Sequence, residues 1–316
     1  MLLLESHKHL MSDLKHQKEK ISDFAKYRKK SLHERLGSVE SLLRKHCPLP
    51  MTYDVGRLQL PFFTEYTYND SMDAIYISPQ STEIAAIMAE LALEDDRNER
   101  FDFTVSFEKG KNEKGTFDKY NLNITIHELP EFRKKIVFPP GSNLFHKIVS
   151  REALYRLMHE DPQVLIKPHP LSNDDLLRKL GRDFGYHRLI GPIVSGYKLL
   201  ENADFIWGTT ASEMPIRAAL LGIPSFNIGN FFEEQIGSHM PINRLLWNQR
   251  GEEAKLRATR VISSPLGGFF FPEDPNLEEN IKLYFQETLK VRERFRTLTY
   301  SMPDHIKMEI WKKDRA

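Results

Sequence analysis

Between residues 135 and 228, short apolar runs alternate with stretches of helical periodicity, and this rhythm constrains the fold more than any other feature of the chain. Apolar runs at 135–138, 164–167, 188–190, 203–207 and 224–228 read as strands. Helices are predicted to about 159 after the first run, then near 172–183, 195–202 and 212–221. The connections between them are a few residues long. Strand, loop and helix in this order build a parallel sheet with helices packed on its faces, because a parallel neighbour needs a crossover connection.

The flanking regions are less regular. Residues 3–46 carry apolar positions three, four or seven apart with charges between, which predicts helix, divided near Gly37 and closed by Pro48 and Pro50. A strand at 74–77, a helix at 82–95 and alternating strands at 101–107 and 122–127 follow, the last two joined by a polar loop. An amphipathic helix is predicted over 277–298. These patterns divide the chain into residues 1–132, with the leading helices, and residues 133–316, with the parallel sheet and the last helix.

Composition closes several function classes. The single cysteine, Cys47, excludes an internal disulfide and any CxxC or Cys/His zinc pattern. No apolar stretch approaches the ~20 residues of a membrane span, and the leading MLLLESHKHL is too short in apolar residues for a secretory signal. The expectation is a cytoplasmic protein whose membrane contact, if any, is peripheral. Net charge is +1, but residues 1–50 hold eleven Lys and Arg, six Asp and Glu, and five His. That basic lead reads either as a solvated helical face or as a surface for phosphates of nucleic acid or anionic lipid.

In an open parallel sheet, ligands bind beyond the carboxyl ends of the strands. The residues there are 139–142 (PPGS), 167–170 (KPHP), 208–213 (GTTASE) and 229–230 (GN). Pro168 and Pro170 end a buried strand and stiffen the loop that carries His169, so Lys167 and His169 form a preorganised pair suited to an anion such as phosphate. Thr209, Thr210 and Ser212 offer hydroxyls and backbone N–H groups at a helix start, with Ser212 the predicted N-cap, Glu213 in the first turn and Pro215 tolerated just inside. Each piece also has a structural explanation: a strand exit, a cap, and an i,i+4 ion pair between Glu213 and Arg217.

The order KPHP at 167–170, GTTASE at 208–213 and AALLGIP at 218–224 resembles bacterial capsule polysaccharide glycosyltransferases of the Kdo and polysialic-acid type, over about residues 134–230. The resemblance implies a GT-B fold, two Rossmann-like lobes with a cleft between them. It implies that Lys167, His169, Thr209, Thr210 and Ser212 bind the donor phosphates. The nucleotide or ribose contact falls to Glu213 and Ser142, since Arg217 stands where many relatives carry a glutamate. Residues 1–130 lack a recognisable form of the family's acidic acceptor-side motif, so the general base is open among Asp70, Asp73 and Glu83, near predicted strand ends.

The expected activity is metal-independent transfer of a sugar from a nucleotide-sugar co-substrate, with no further cofactor, to a hydroxyl of a surface glycan or of a hydroxymethylated DNA base. The alternatives are a nucleotide-sugar epimerase or hydrolase of the same fold, and a non-catalytic nucleic-acid-binding protein.

Overall fold

A computed structural model describes residues 36–47, 52–54, 57–59, 63–69, 74–79, 82–96, 100–104, 135–170, 172–192, 194, 196–230, 240 and 242–297. The expectations for 1–35, 122–127 and Asp70 and Asp73 lie outside these residues.

In chain order the described elements begin with α1 (36–46), β1 (Thr52–Asp54), β2 (Arg57–Gln59), β3 (Phe63–Asn69), β4 (Ala74–Pro79) and α2 (Thr82–Glu94). Next come β5 (Lys135–Val137), α3 (Ser142–Ile148), α4 (Arg151–Glu160), β6 (Leu165–Ile166), α5 (Asp174–Phe184), α6 (Gly196–Leu200), β7 (Phe205–Gly208), α7 (Met214–Leu220) and β8 (Ser225–Asn227). The chain closes with α8 (Asn243–Leu246), α9 (Gly251–Ser263), β9 (Phe269–Phe270) and α10 (Leu277–Thr297).

The predicted parallel sheet is present, in the order β6-β5-β7-β8, with all three pairings parallel. Single parallel bridges extend it at both edges, from Ile166 to Leu189 and from Ser225 to Trp247. Side chains alternate between faces along each strand. Val137, Ile166 and Trp207 enter one core with Phe145, Leu154, Met158 and Leu180 from α3, α4 and α5. Ile136, Leu165 and Ile206 enter the other with Leu199, Leu200 and Ala218 from α6 and α7. Both faces are therefore covered, which is why these strands read as unbroken apolar runs.

The chain leaves β5 toward β6 on one side and returns to place β7 on the other. The carboxyl ends of β5 and β7 thus flank the topological switch point, where a doubly wound sheet opens a crevice.

Local chemistry sets the boundaries. Ser150 separates α3 from α4 and caps the latter, its hydroxyl accepting from Ala153 N at 3.2 Å. The predicted strand at 188–190 reduces to the bridge at Leu189, because Tyr186–Arg188 form a 3-10 turn and the buried Arg188 guanidinium donates to the carbonyls of Met158, Asp161 and Val164. The turn after α7 needs Gly222, whose φ is 75°; Ile223 N bonds back to Ala218 O at 2.8 Å.

The strands before residue 80 pair antiparallel: β1 with β2, and β3 with β4. Only residues 70–73 separate β3 from β4, too few for a crossover. The described residues therefore contain one parallel sheet, not two. The expected strand at 101–107 is absent over 101–104. There the Asp102 carboxylate accepts from Thr104 N at 3.0 Å and from its hydroxyl at 2.5 Å, which turns the chain.

β9 pairs antiparallel with β4 and completes the order β3-β4-β9. Its phenylalanines lie in one core with Leu36, Val39 and Leu43 of α1, Ile75 and Ile77 of β4, Ile87 and Met88 of α2, Val261 of α9 and Tyr284 of α10. Packing thus couples 251–297 to 36–103, across the boundary at 132/133 that the sequence rhythm implies. Glu278 of α10 fastens this layer to α1, accepting from Lys45 Nζ and pairing with His46 Nε2, both at 2.7 Å.

Candidate functional site at the carboxyl edge of the parallel sheet

Four segments meet at the carboxyl edge: 138–142 after β5, 167–170 after β6, 191–192 with 196–197 at the start of α6, and 208–214 after β7. Backbone and side-chain contacts tie them together. Phe138 N bonds Trp207 O at 2.8 Å, and Lys167 N bonds Val137 O at 2.8 Å. Gly196 lies against Phe138 and Met214; a Cβ there would stand 3.3 Å from a side-chain atom of each.

His169 is half-buried and its imidazole lies over Gly141. A Cβ on Gly141 would approach Nδ1 to 3.6 Å and Cγ to 3.8 Å. The ring thus stands within van der Waals reach of position 141, beside the backbone that follows β5. His169 O accepts from Ser172 N at 2.9 Å, which closes the proline-held turn. The loops after β5 and β6 are joined again where Asn173 N donates to Ser142 Oγ at 2.7 Å. Ser142 is half-exposed beside this junction.

Lys167 stands apart from its expected role. Its side chain is buried, and its ammonium donates to Pro168 O at 2.8 Å and to Pro192 O at 3.0 Å. A buried cation is tolerated when its donors meet acceptors. Here they pin the His169 loop to the turn before α6, so Lys167 is a strut beneath the edge.

Thr209 and Thr210 also turn inward, 0% and 1% exposed. Their loop is held from behind. Met240 N donates to Thr210 O at 3.0 Å, and the buried Asn243 amide donates to Ser212 O at 2.7 Å and Thr209 O at 3.4 Å. Thr209 Oγ1 has no hydrogen-bond partner among the described residues. With Ser212 held through its carbonyl, the helix starts at Met214, one residue later than a Ser212 cap requires. Ser212 Oγ accepts from Met214 N at 3.2 Å, and Pro215 stands in the first turn. Ser212 and Glu213 are half-exposed.

Glu213 and Arg217 share a partner in Tyr197 of α6, whose phenol donates to Glu213 Oε1. The Arg217 guanidinium lies 4.4 Å from the centroid of the same ring. Tyr197, Asn243 and Pro192 were not legible as site residues. Each acts across a separation of 16 to 34 residues that no local motif records.

Glu83 stands in the first turn of α2, on the side of the antiparallel layer. Among the described residues, no three His, Cys, Asp or Glu side chains gather as metal ligands, and no helix is long and apolar enough to cross a membrane.

No protein-family profile and no curated protein matches the chain. Among the solved structures similar to it are two from Thermosulfurimonas dismutans. "KpsC, beta Kdo 2,4 transferase" is 14% identical over 59% of this chain and 64% of that one, with a TM-score of 0.34. "KpsC, beta Kdo 2,7 transferase" is 20% identical over 69% and 73%, with a TM-score of 0.33. This chain thus spans less than two thirds of the first of them.

Proposed function

We propose that the protein is a glycosyltransferase of GT-B architecture that takes a nucleotide sugar at the carboxyl edge of its parallel sheet. The observation that carries this reading is the seating of His169 on Gly141 at the sheet's switch point, with Ser142, Ser212 and Glu213 half-exposed in the adjoining loops. A rigid imidazole beside hydroxyls and backbone N–H groups suits a phosphate. The motif order that resembles capsule polysaccharide transferases supports the same assignment.

In this mechanism His169 donates to the phosphate oxygen on which charge grows as the sugar–oxygen bond breaks. Ser142 and Ser212 contribute hydroxyl donors. Glu213, fixed by Tyr197, accepts from the ribose. Lys167, Thr209 and Thr210 hold the loops in place. A carboxylate from the residues before 133, with Asp70, Asp73 and Glu83 as candidates, removes the acceptor proton. The acceptor is a glycan hydroxyl.

A thermal-shift screen against nucleotides and nucleotide sugars tests the reading. A ligand at 100 times its Kd stabilises the folded state by about 2.7 kcal/mol. At least one nucleotide sugar is expected to do so in wild type, and the effect is expected to shrink in Glu213→Ala. Stabilisation by none of them contradicts the assignment. Product analysis then separates the activities: an epimerase or hydrolase converts the donor with no acceptor present, whereas a transferase requires one. Glucosylation of hydroxymethylated duplex, in place of a glycan, would move the acceptor to DNA.

A further inference from the structure

α5 buries Leu176, Leu177, Leu180 and Phe184 against the sheet. Its opposite face carries Asp175, Arg178, Lys179 and Arg182, spaced so that the helix stacks them along one side. That side, with Ser142 and His146 of α3, lines an open groove of about 530 Å³. The volume is in the range of small-ligand sites.

The groove's charge is one-sided. Arg178 pairs with Asp175 at 2.8 Å, and Lys179 with Asp183 at 2.8 Å. Arg182 is exposed and acts on the Asp183 carboxylate through space, while the hydrogen bonds to that carboxylate come from Lys179 and Tyr155. His146 faces the groove from α3 and is itself approached by Arg151, at 3.2 Å from Nδ1. Asp183, which offsets Lys179, is already shared with the Tyr155 phenol. The lining therefore offers three cations, Arg178, Lys179 and Arg182, against the single carboxylate of Asp175, with the His146 imidazole beside them. Arg178 and Arg182 lie one helical turn apart, about 6 Å along the axis. Planar guanidinium groups at that interval match successive phosphates or carboxylates along a chain.

The groove also has a direction. Ser142 and Asn173 line its inner end, and the hydrogen bond between them joins the loops that carry Gly141 and His169.

We propose that this groove binds a linear, multiply charged anion, phosphate- or carboxylate-bearing, with one end at the carboxyl edge. The binding is independent of the transferase reading; that the bound chain is the acceptor rests on it.

Isothermal titration at low salt tests the proposal with two probes, inorganic tripolyphosphate and trigalacturonate, which separate phosphate from carboxylate recognition. The proteins are wild type, Arg178→Gln/Arg182→Gln, the remote control Lys255→Gln, and His169→Ala. At least one probe is expected to show a binding component that weakens by about tenfold or more in the double variant. That component is expected to persist in Lys255→Gln and His169→Ala and to fall with added salt. The lost ion pair with Asp175 is exposed, so the double variant should unfold with wild type. Absence of binding by both probes, equal binding to the double variant, or complete loss in His169→Ala would overturn the proposal. The last result would place the anion at the carboxyl edge instead.

Discussion

The Tyr197 phenol donates to the Glu213 carboxylate, so a residue of α6 fixes the one acidic side chain in the loop before α7. Arg217 stacks on the same ring and holds it from the other side. Tyr197→Phe keeps the ring and removes the bond. The loss is expected to cost about 1 kcal/mol of stability. If Glu213 contacts the ribose, the variant should raise the donor KM several-fold at nearly constant kcat. Steady-state kinetics with the nucleotide sugar selected by thermal shift separates this from a purely structural role, which would leave KM unchanged.

Lys167 has a different signature. Replacing it with Met preserves the stem but orphans the carbonyls of Pro168 and Pro192, in a buried setting. The expected cost is about 2–3 kcal/mol, the range for hydrogen bonds to a charged group. Urea unfolding should show the midpoint shift with an unchanged slope. A variant as stable as wild type would remove the strut.

Much of this division of labour was hidden in the sequence for a physical reason. Apolar runs reveal which strands are buried on both faces, and prolines reveal where the strand before His169 stops. Neither reveals which carbonyl receives a lysine. The partner of Lys167, Pro192 O, lies 25 residues away. Likewise the first half of α9 presents only Ala254 and Ala258 to the core, a weak apolar signal ahead of Val261 and Ile262, and β9 finds its partner β4 some 190 residues upstream. The antiparallel layer is held by such remote pairings, whereas the parallel sheet follows a short local rhythm.

The turn at 218–224 owes its form to backbone geometry. Gly222 has φ of 75°, and a Cβ there would lie 3.2 Å from Gly251 O. Gly222→Ala is expected to destabilise by about 1–2 kcal/mol, read by denaturant unfolding, with the end of α7 losing hydrogen-exchange protection first.

The pin between α1 and α10 should respond to acid. Hydrogen bonds from Lys45 and then His46 pull the Glu278 carboxyl down to about 2 from its usual 4.5. A depressed carboxyl contributes stability that is present above its unfolded value and lost as pH falls through its folded value. The Tm difference between wild type and Glu278→Gln should therefore be largest above pH 4.5 and close as pH approaches 2. A difference constant across that window would show that the carboxylate charge does not hold the two helices.

Single-turnover transfer by His169→Ala, followed alongside thermal unfolding, tests the central claim most directly. His169 lies half-buried on Gly141 at the edge of the sheet, where it adds little to the core. The variant should unfold with wild type, while its chemical step slows by about 10²–10³, the loss typical of one preorganised donor to a developing negative charge. Transfer at the wild-type rate would contradict the assignment of His169, and an unfolded variant would show that the histidine serves the fold.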